Sequence, residues 1–289
     1  RDVEELNQSK LRFFTNISHE FRTPLTVIVG QIEMLLQVQS FPPAIYNKLL
    51  NVYKNGLQLR GLISELLDFR KQEQGHMKIK VSRHNLVDFL YENYLLYIEY
   101  ASTRHIKFYF NKDQDQLEVW YDSRQMQKVI NNLLSNAFKY TPEKGSISIN
   151  ISKRGEEAII EVQDSGKGIK PEEAGKIFER FYQTSNDPEN TQGTGIGLAL
   201  SKGIVELHKG RIEVSSNQTS GTTFTIALKL GNAHFTAEQI ETEEPKEEEA
   251  AVIVESKFMV EQQVLDDTVK ERIKGAKVLI VEDNDSLRE

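Results

Sequence analysis

The chain has 289 residues, 38% of them hydrophobic, a formal net charge of -7 and no cysteine. This length and apolar fraction suit two folded units with a real core, and an acidic balance without a long basic patch excludes a nucleic-acid footprint, which needs Lys and Arg to replace counterions on phosphates. The missing cysteines exclude disulfides, thiolate metal sites and cysteine nucleophiles, and no apolar run is long enough to span a bilayer or form a signal peptide. Arg1 in place of a methionine and the end at "NDSLRE" read as part of a longer chain.

From about residue 3 to 37, Phe14, Ile17, Phe21, Leu25, Ile28, Ile32 and Leu35 recur at steps of three and four, the period of one helix face. "SFPP" ends that helix. Leu49, Val52, Gly56, Leu59, Ile63 and Leu66 then mark a second helix with a heptad seam, closing near "QEQG". A lone hairpin cannot bury broad apolar stripes on both helices, so pairing with a second copy into a four-helix bundle is expected. The chain is expected to be a homodimer.

After Gly75 the period changes. "MKIKVS", "IKFYF", "LEVWY", "SISINIS", "AIIEV", "RIEVSS" and "TTFTIALKL" predict strands, with helices near 84–101, 123–140, 171–181 and 196–208. Strands and helices alternate irregularly, which favours an α/β sandwich with helices on one face over a doubly wound sheet. The fold class is therefore α plus α/β. The expected units are the hairpin at 1–75, the sandwich at 76–231, an acidic linker at 232–275 and a separate start at 276–289. Glu238 to Glu249 holds seven glutamates and one lysine, a solvated segment. The last run, "KVLIVEDND", is one apolar strand followed by acids, and one strand cannot fold alone.

Within the first helix, Phe14 and Phe21 at heptad position a put His19 at f, facing solvent. Position alone suits a plain surface histidine. Its neighbours favour chemistry: Glu20 can hydrogen-bond one ring nitrogen and leave the other lone pair free to attack. Thr23 lies on the same face one turn on, where its hydroxyl can orient a water or phosphate oxygen. Pro24 has no N–H, so the carbonyl of Glu20 loses its helical partner. This run, "FFTNISHEFRTPLTVI", resembles the H box of bacterial sensor histidine kinases, dimeric enzymes of two-component signalling. The resemblance implies His19 as phosphoacceptor, Glu20 as general base and Thr23 as a residue used in dephosphorylating the partner.

"INNLLSNAFKYTP" sets an apolar face against a polar stripe of Asn132, Asn136, Lys139 and Tyr140. Amide oxygens suit Mg²⁺ and a lysine neutralises phosphate oxygens, although a merely polar helix face reads equally well. In "EVQDSGKGI" a carboxylate at Asp164 can take a hydrogen bond from an adenine amino group while Gly166 and Gly168 allow close approach; an Asp-Gly turn is the bland alternative. "IFERFYQ" supplies Phe178 and Phe181, which by themselves suit simple core. "GTGIGLALSKGIV" opens a helix with Gly193, Gly195 and Gly197, whose amides can cradle phosphate. A dinucleotide fingerprint competes, but it wants a preceding strand and a Gly or Ala where Leu198 stands. The polar loop "QTSNDPENTQ" precedes the glycines instead, and "SSNQTSGTTF" adds Thr222 near the base.

These runs match the family's N, G1, F and G2 boxes, its ATP lid and its closing glycine motif, in order, over residues 11–230. "LHKG" departs from the more usual His-Gly-Gly or His-Asn-Gly. The resemblance implies the sandwich of the gyrase, chaperone and histidine kinase type, with ATP and Mg²⁺ as cofactors. Asn136 would be the metal ligand and Asn132, Lys139 and Tyr140 would face phosphates. Asp164, Gly166, Gly168 and Thr222 would lie at the base, with Gly193, Gly195, Gly197 and Leu198 at the nucleotide. Transfer of the γ-phosphoryl group to His19, then to an aspartate of a response-regulator receiver domain, is the implied reaction; an ATPase or an inactive scaffold is the alternative. "KVLIVEDN" resembles the first strand and acidic pair of a receiver, with Glu282 and Asp283 placed to help hold Mg²⁺. That implies a hybrid kinase whose receiver lies in the same full-length chain. The fragment would be the cytoplasmic part of a membrane-anchored sensor.

Overall fold

The computed structural model describes residues 20–37, 41–183, 194–217 and 221–241. His19, Gly193, most of the polar loop before the glycines, and everything from 242 onward, "KVLIVEDND" included, lie outside the described residues.

Helix α1 covers 20–36 and passes through Pro24 without a break. Helix α2 is Pro43–Glu73, starting on a proline whose absent N–H would have had no helical partner anyway. They pack through Leu25, Val29 and Leu57, with Tyr53 and Ile63 alongside. Gly56 sets their separation, because a Cβ there would stand 2.7 Å from Cγ2 of Val29. The single apolar face expected on α1 is only partly covered by α2. Leu25, Val29 and Ile32 are buried, whereas Phe21, Ile28 and Leu35 remain exposed at seven-residue spacing, as do Ile45, Val52 and Leu59 on α2. A stripe wide enough for two neighbours leaves one flank uncovered in a single copy.

Beyond the hairpin follow β1 (Ser82–Asn85), α3 (Leu86–Thr103), β2 (Lys107–Lys112), β3 (Glu118–Tyr121), α4 (Ser123–Tyr140), β4 (Ser146–Arg154) and β5 (Glu157–Asp164). The order continues with α5 (Pro171–Ala174), α6 (Gly197–Leu207), β6 (Arg211–Asn217) and β7 (Gly221–Lys229). Five strands form one sheet in the order β2-β4-β5-β7-β6, parallel at β2-β4 and antiparallel elsewhere. Strand alternation decides which face takes the helices: Ile147, Ile149 and Ile151 of β4, Ile160 and Val162 of β5 and Phe224, Ile226 and Leu228 of β7 point into one core. That core also holds Leu90 and Tyr97 of α3, Ile130, Leu133, Leu134 and Phe138 of α4 and Ile204 of α6.

Three sequence expectations are corrected. "LEVWY" does not join the main sheet; β3 pairs with β1 in a separate antiparallel ribbon. The helix expected over 171–181 is one turn, Pro171–Ala174, stopped at Gly175. "MKIKVS" alternates as a strand should, with Met77, Ile79 and Val81 buried, yet only its last residue, Ser82, enters a sheet, as the start of β1. Val81 bridges Ile240 in parallel, so residues 232–241, assigned by composition to the linker, fold back onto 79–81. Buried alternation shows that a segment has a covered face but does not name what covers it.

Candidate nucleotide site

The site forms where the C-terminal half of α4, the turn after β5, the start of β7 and the start of α6 meet. Asp122 caps α4, accepting the Gln125 N–H at 3.0 Å, and its own N–H donates to Nε2 of the buried His208 at 2.9 Å, fixing α4 to the end of α6. His208 donates through Nδ1 to the Ile204 carbonyl at 2.7 Å, so its neutral tautomer is defined by two partners.

Asn132 lies against the first residue of α6. Its carboxamide N–H donates to Ser201 Oγ at 3.0 Å, Ser201 donates to the Gly197 carbonyl at 2.9 Å, and a Cβ on Gly197 would come 2.5 Å from Asn132 Oδ1. Gly197 is therefore glycine because α4 and α6 touch there, and Ser201, absent from the sequence-derived site, belongs to this contact. One turn along α4, Asn136 is half-buried, and among the described residues no hydrogen bond engages its carboxamide. Lys139 and Tyr140 follow. The Lys139 ammonium stands 5.2 Å and that of Lys167 5.3 Å from the centroid of the Tyr140 ring.

The turn after β5 is pressed against α4. A Cβ on Gly166 would stand 2.5 Å from the Tyr140 carbonyl oxygen, so glycine is needed there for the turn to reach α4. Asp164 is 5% exposed. Its Oδ1 accepts the Gly166 N–H at 2.8 Å, and the residue is paired in register with Thr222 of β7. Burial raises its carboxyl pKa, opposed by the N–H groups of Gly166 and Thr222. Gly168 takes a left-handed φ of 68°. Beyond it, the Ile169 N–H donates to Ser216 Oγ at 2.7 Å, and Ser216 donates to the Gly221 carbonyl at 2.9 Å. Gly221 is the tightest glycine of the site, with φ 87° and a Cβ position 1.8 Å from the Asp164 carbonyl oxygen. Ser216 and Gly221 both escaped the sequence-derived list, although both lie in strands that the alternation identified.

Helix α6 opens at Gly197 with Ile196 as its cap residue and, among the described residues, no side-chain cap on its first amides. Such an N-terminus offers N–H groups and a partial positive charge to an anion. Leu198 sits in its first turn, half-buried and packed against the core. Gly195 has φ 66° for a different reason: its carbonyl accepts the Phe181 N–H at 2.9 Å, and a Cβ would meet the Phe181 backbone at 2.7 Å, so the two ends of the 184–193 loop are pinned together. Phe181 is also the contact to the hairpin. Its ring meets Phe69 of α2 edge-on at 6.0 Å, the Arg180 guanidinium lies 5.6 Å over Phe69 while pairing with Glu73, and Lys128 of α4 pairs with Asp68 at 2.6 Å.

The structure thus brings together Asn132, Asn136, Lys139, Tyr140, Asp164, Gly166, Gly168, Gly195, Gly197, Leu198 and Thr222. Glu20 and Thr23 are elsewhere, exposed on α1; His19 and Gly193 lie outside the described residues. The described residues contain no group of three His, Asp or Glu side chains able to hold a metal, and no helix among them is long and apolar enough to cross a membrane.

Two family profiles match: "His Kinase A (phospho-acceptor) domain" over residues 9–75 and "Histidine kinase-, DNA gyrase B-, and HSP90-like ATPase" over 121–232. Histidine kinase P4 of Formosa agariphila is 38% identical over 99% of this chain, which spans 21% of that protein. Sensor histidine kinase RppB of Synechocystis is 33% identical over 80% of this chain, which spans 51% of it. Among solved structures, full-length ShkA in complex with AMPPNP aligns with a TM-score of 0.65 at 22% identity, covering 76% of this chain and 46% of that one. Acinetobacter baumannii AdeS aligns at 0.53 and 23% identity, covering 74% and 98%. At such identities both support the fold alone.

Proposed function

Because the chain belongs to the histidine kinases and carries their phosphoacceptor hairpin and ATP-binding layer, we propose that it transfers the γ-phosphoryl group of ATP to a ring nitrogen of His19 and from there to an aspartate of a receiver domain. The observation that carries this reading is that α4 places its half-buried amide stripe between a buried carboxylate, with Gly166 against Tyr140, and the N-terminus of α6, with Gly197 against Asn132. The carboxylate of Asp164 takes the adenine amino group, with Thr222 beside it. The α6 amides and Lys139 take phosphate oxygens, so the γ-phosphoryl is positioned rather than activated covalently.

The Asn136 carboxamide suits Mg²⁺, a hard cation that is commonly held by one or two protein oxygens with phosphates completing its shell. When bound, the ion supplies charge neutralisation at the phosphates. At the hairpin, Glu20 holds the His19 proton so that the other nitrogen attacks in line, and Thr23 orients the water that hydrolyses the phosphoryl group from the receiver aspartate, releasing inorganic phosphate. The exposed seams Phe21, Ile28 and Leu35 and Ile45, Val52 and Leu59 make the hairpin half of a homodimeric four-helix bundle. The receiver is placed in the same full-length chain, beginning at "KVLIVEDN".

Incubation with γ-labelled ATP tests the assignment. An acid-labile, base-stable label on the native chain, absent from His19→Gln, is expected. A label that persists in the variant overturns the phosphoacceptor, and phosphate release with no labelled protein favours a plain ATPase.

A further inference from the structure

Residues 76–81 and 233–241 lie outside both family profiles, and they are built onto one another. Phe235, 8% exposed, packs with Ile79 and Val81, and Trp120, Leu207 and Ile240 close the cluster. The Val81 N–H donates to the Gln239 carbonyl at 2.7 Å and the Glu241 N–H donates to the Val81 carbonyl at 2.9 Å, two rungs of a parallel bridge. Lys80 adds a third tie, its ammonium donating to the Glu238 carbonyl at 2.7 Å while its N–H donates to Asp122 Oδ2 at 2.9 Å. Phe235 also meets the His208 ring edge-on at 6.5 Å. Residues 232–241 therefore touch the connector and the end of α6, and the connector in turn reaches the cap of α4 through Lys80.

We infer that residues 232–241 are a strap that locks the connector between hairpin and ATP-binding layer, so that the chain following Glu241 acts on the kinase by tightening or releasing it. With the strap in place, Met77 is seated in the large core that also contains Phe69, and 79–81 are held on both sides. Movement between hairpin and layer is then confined to Gln74, Gly75 and His76, where Gly75 has φ 68° and open space around it. Beyond that joint, Phe69 supports Phe181 and Arg180 at the root of the 184–193 loop. A pull on residue 242 reaches Val81 through one residue. Releasing the strap frees residues 79–81, and a longer free tether lets the layer leave its seat on α2. This inference rests on the kinase reading only for its activity measurement.

The experiment uses the full 289-residue chain. Phe235→Ala should speed amide exchange across 79–81 by about tenfold or more, with ATP-analogue affinity within about twofold of the native value. It should also raise the rate of His19 labelling at saturating ATP by about threefold. Phe235→Leu should return both toward native behaviour. Lys80→Met cuts the tie to Glu238 without opening a cavity, should move exchange the same way to a smaller extent, and provides the reading if Phe235→Ala fails to fold. Unchanged exchange in the folded variants overturns the strap. Faster exchange with an unchanged or lower labelling rate overturns its action on the kinase. A native chain that takes no label fails the kinase reading instead, and exchange still decides the strap.

Discussion

Replacing Gly221 by alanine places a methyl group where the structure has none to spare. The added Cβ would stand 1.8 Å from the Asp164 carbonyl oxygen and 2.8 Å from Cα of Ser165. Reaching even the shortest tolerated separation of about 3.0 Å moves the end of β5 by about 1.2 Å, against backbone atoms that have no rotamer to adopt. The φ of 87° adds its own penalty. Left-handed backbone costs a residue with a side chain about 1–2 kcal/mol and overpacking about 1–3 kcal/mol, so a loss of about 2–5 kcal/mol is expected, within the roughly 5–15 kcal/mol of a typical domain. The displaced atoms carry Asp164, and a 1 Å misplacement at a binding constellation is worth about a hundredfold. Gly155→Ala is the control, because Gly155 also has positive φ, 60°, but nothing within 4 Å of its Cβ position; it should cost about 1 kcal/mol and leave nucleotide binding intact. Urea unfolding and titration with a fluorescent ATP analogue measure both quantities. If the folded Gly221→Ala chain binds the analogue as tightly as Gly155→Ala, the Asp164 turn is not a wall of the nucleotide pocket.

Two further outcomes are expected. Val52→Glu puts a charge into the exposed α2 seam twice per symmetric pair, each time losing about 1.5–3 kcal/mol of apolar burial, so sedimentation should show the variant as monomer where the native chain is dimer; an unchanged dimer would refute that seam. Burial lowers the pKa of His208 below 6.5, with the Ile204 carbonyl and Asp122 pulling the other way. The folded chain therefore resists a proton that the unfolded chain accepts: stability is whole above pH 6.5 and declines as the pH falls from there toward the folded-state pKa, by up to about 1.4 kcal/mol per pH unit for one group. Thermal melts from pH 8 to 5 should show this slope. His208→Gln should flatten it in part, since His84 and His234 are shifted in the same direction, and an unchanged slope refutes the assignment to His208.

The amino-acid sequence by itself determined the elements and most of the site, because those signals are local. The period of three and four marked α1 and α2, alternation marked β4, β5 and β7, and each nucleotide motif is a short run whose residue types carry its chemistry: an acid beside glycines, amides one turn apart, glycines before a helix. Which residues lie beside which was decided only by the tertiary structure. The broad apolar stripe of α1 did not reveal that Val29 and Leu25 turn to α2 while Phe21 and Ile28 stay exposed. Gly221 matters through the carbonyl of Asp164, 57 positions earlier in the chain, and Gly195 also meets the backbone of Phe181. Glutamate-rich composition described 238–249 as solvated, yet Phe235 and Ile240 are enough to seat 232–241 on a connector about 160 residues away. Composition and periodicity report that a face is covered; steric fit between distant segments decides by what.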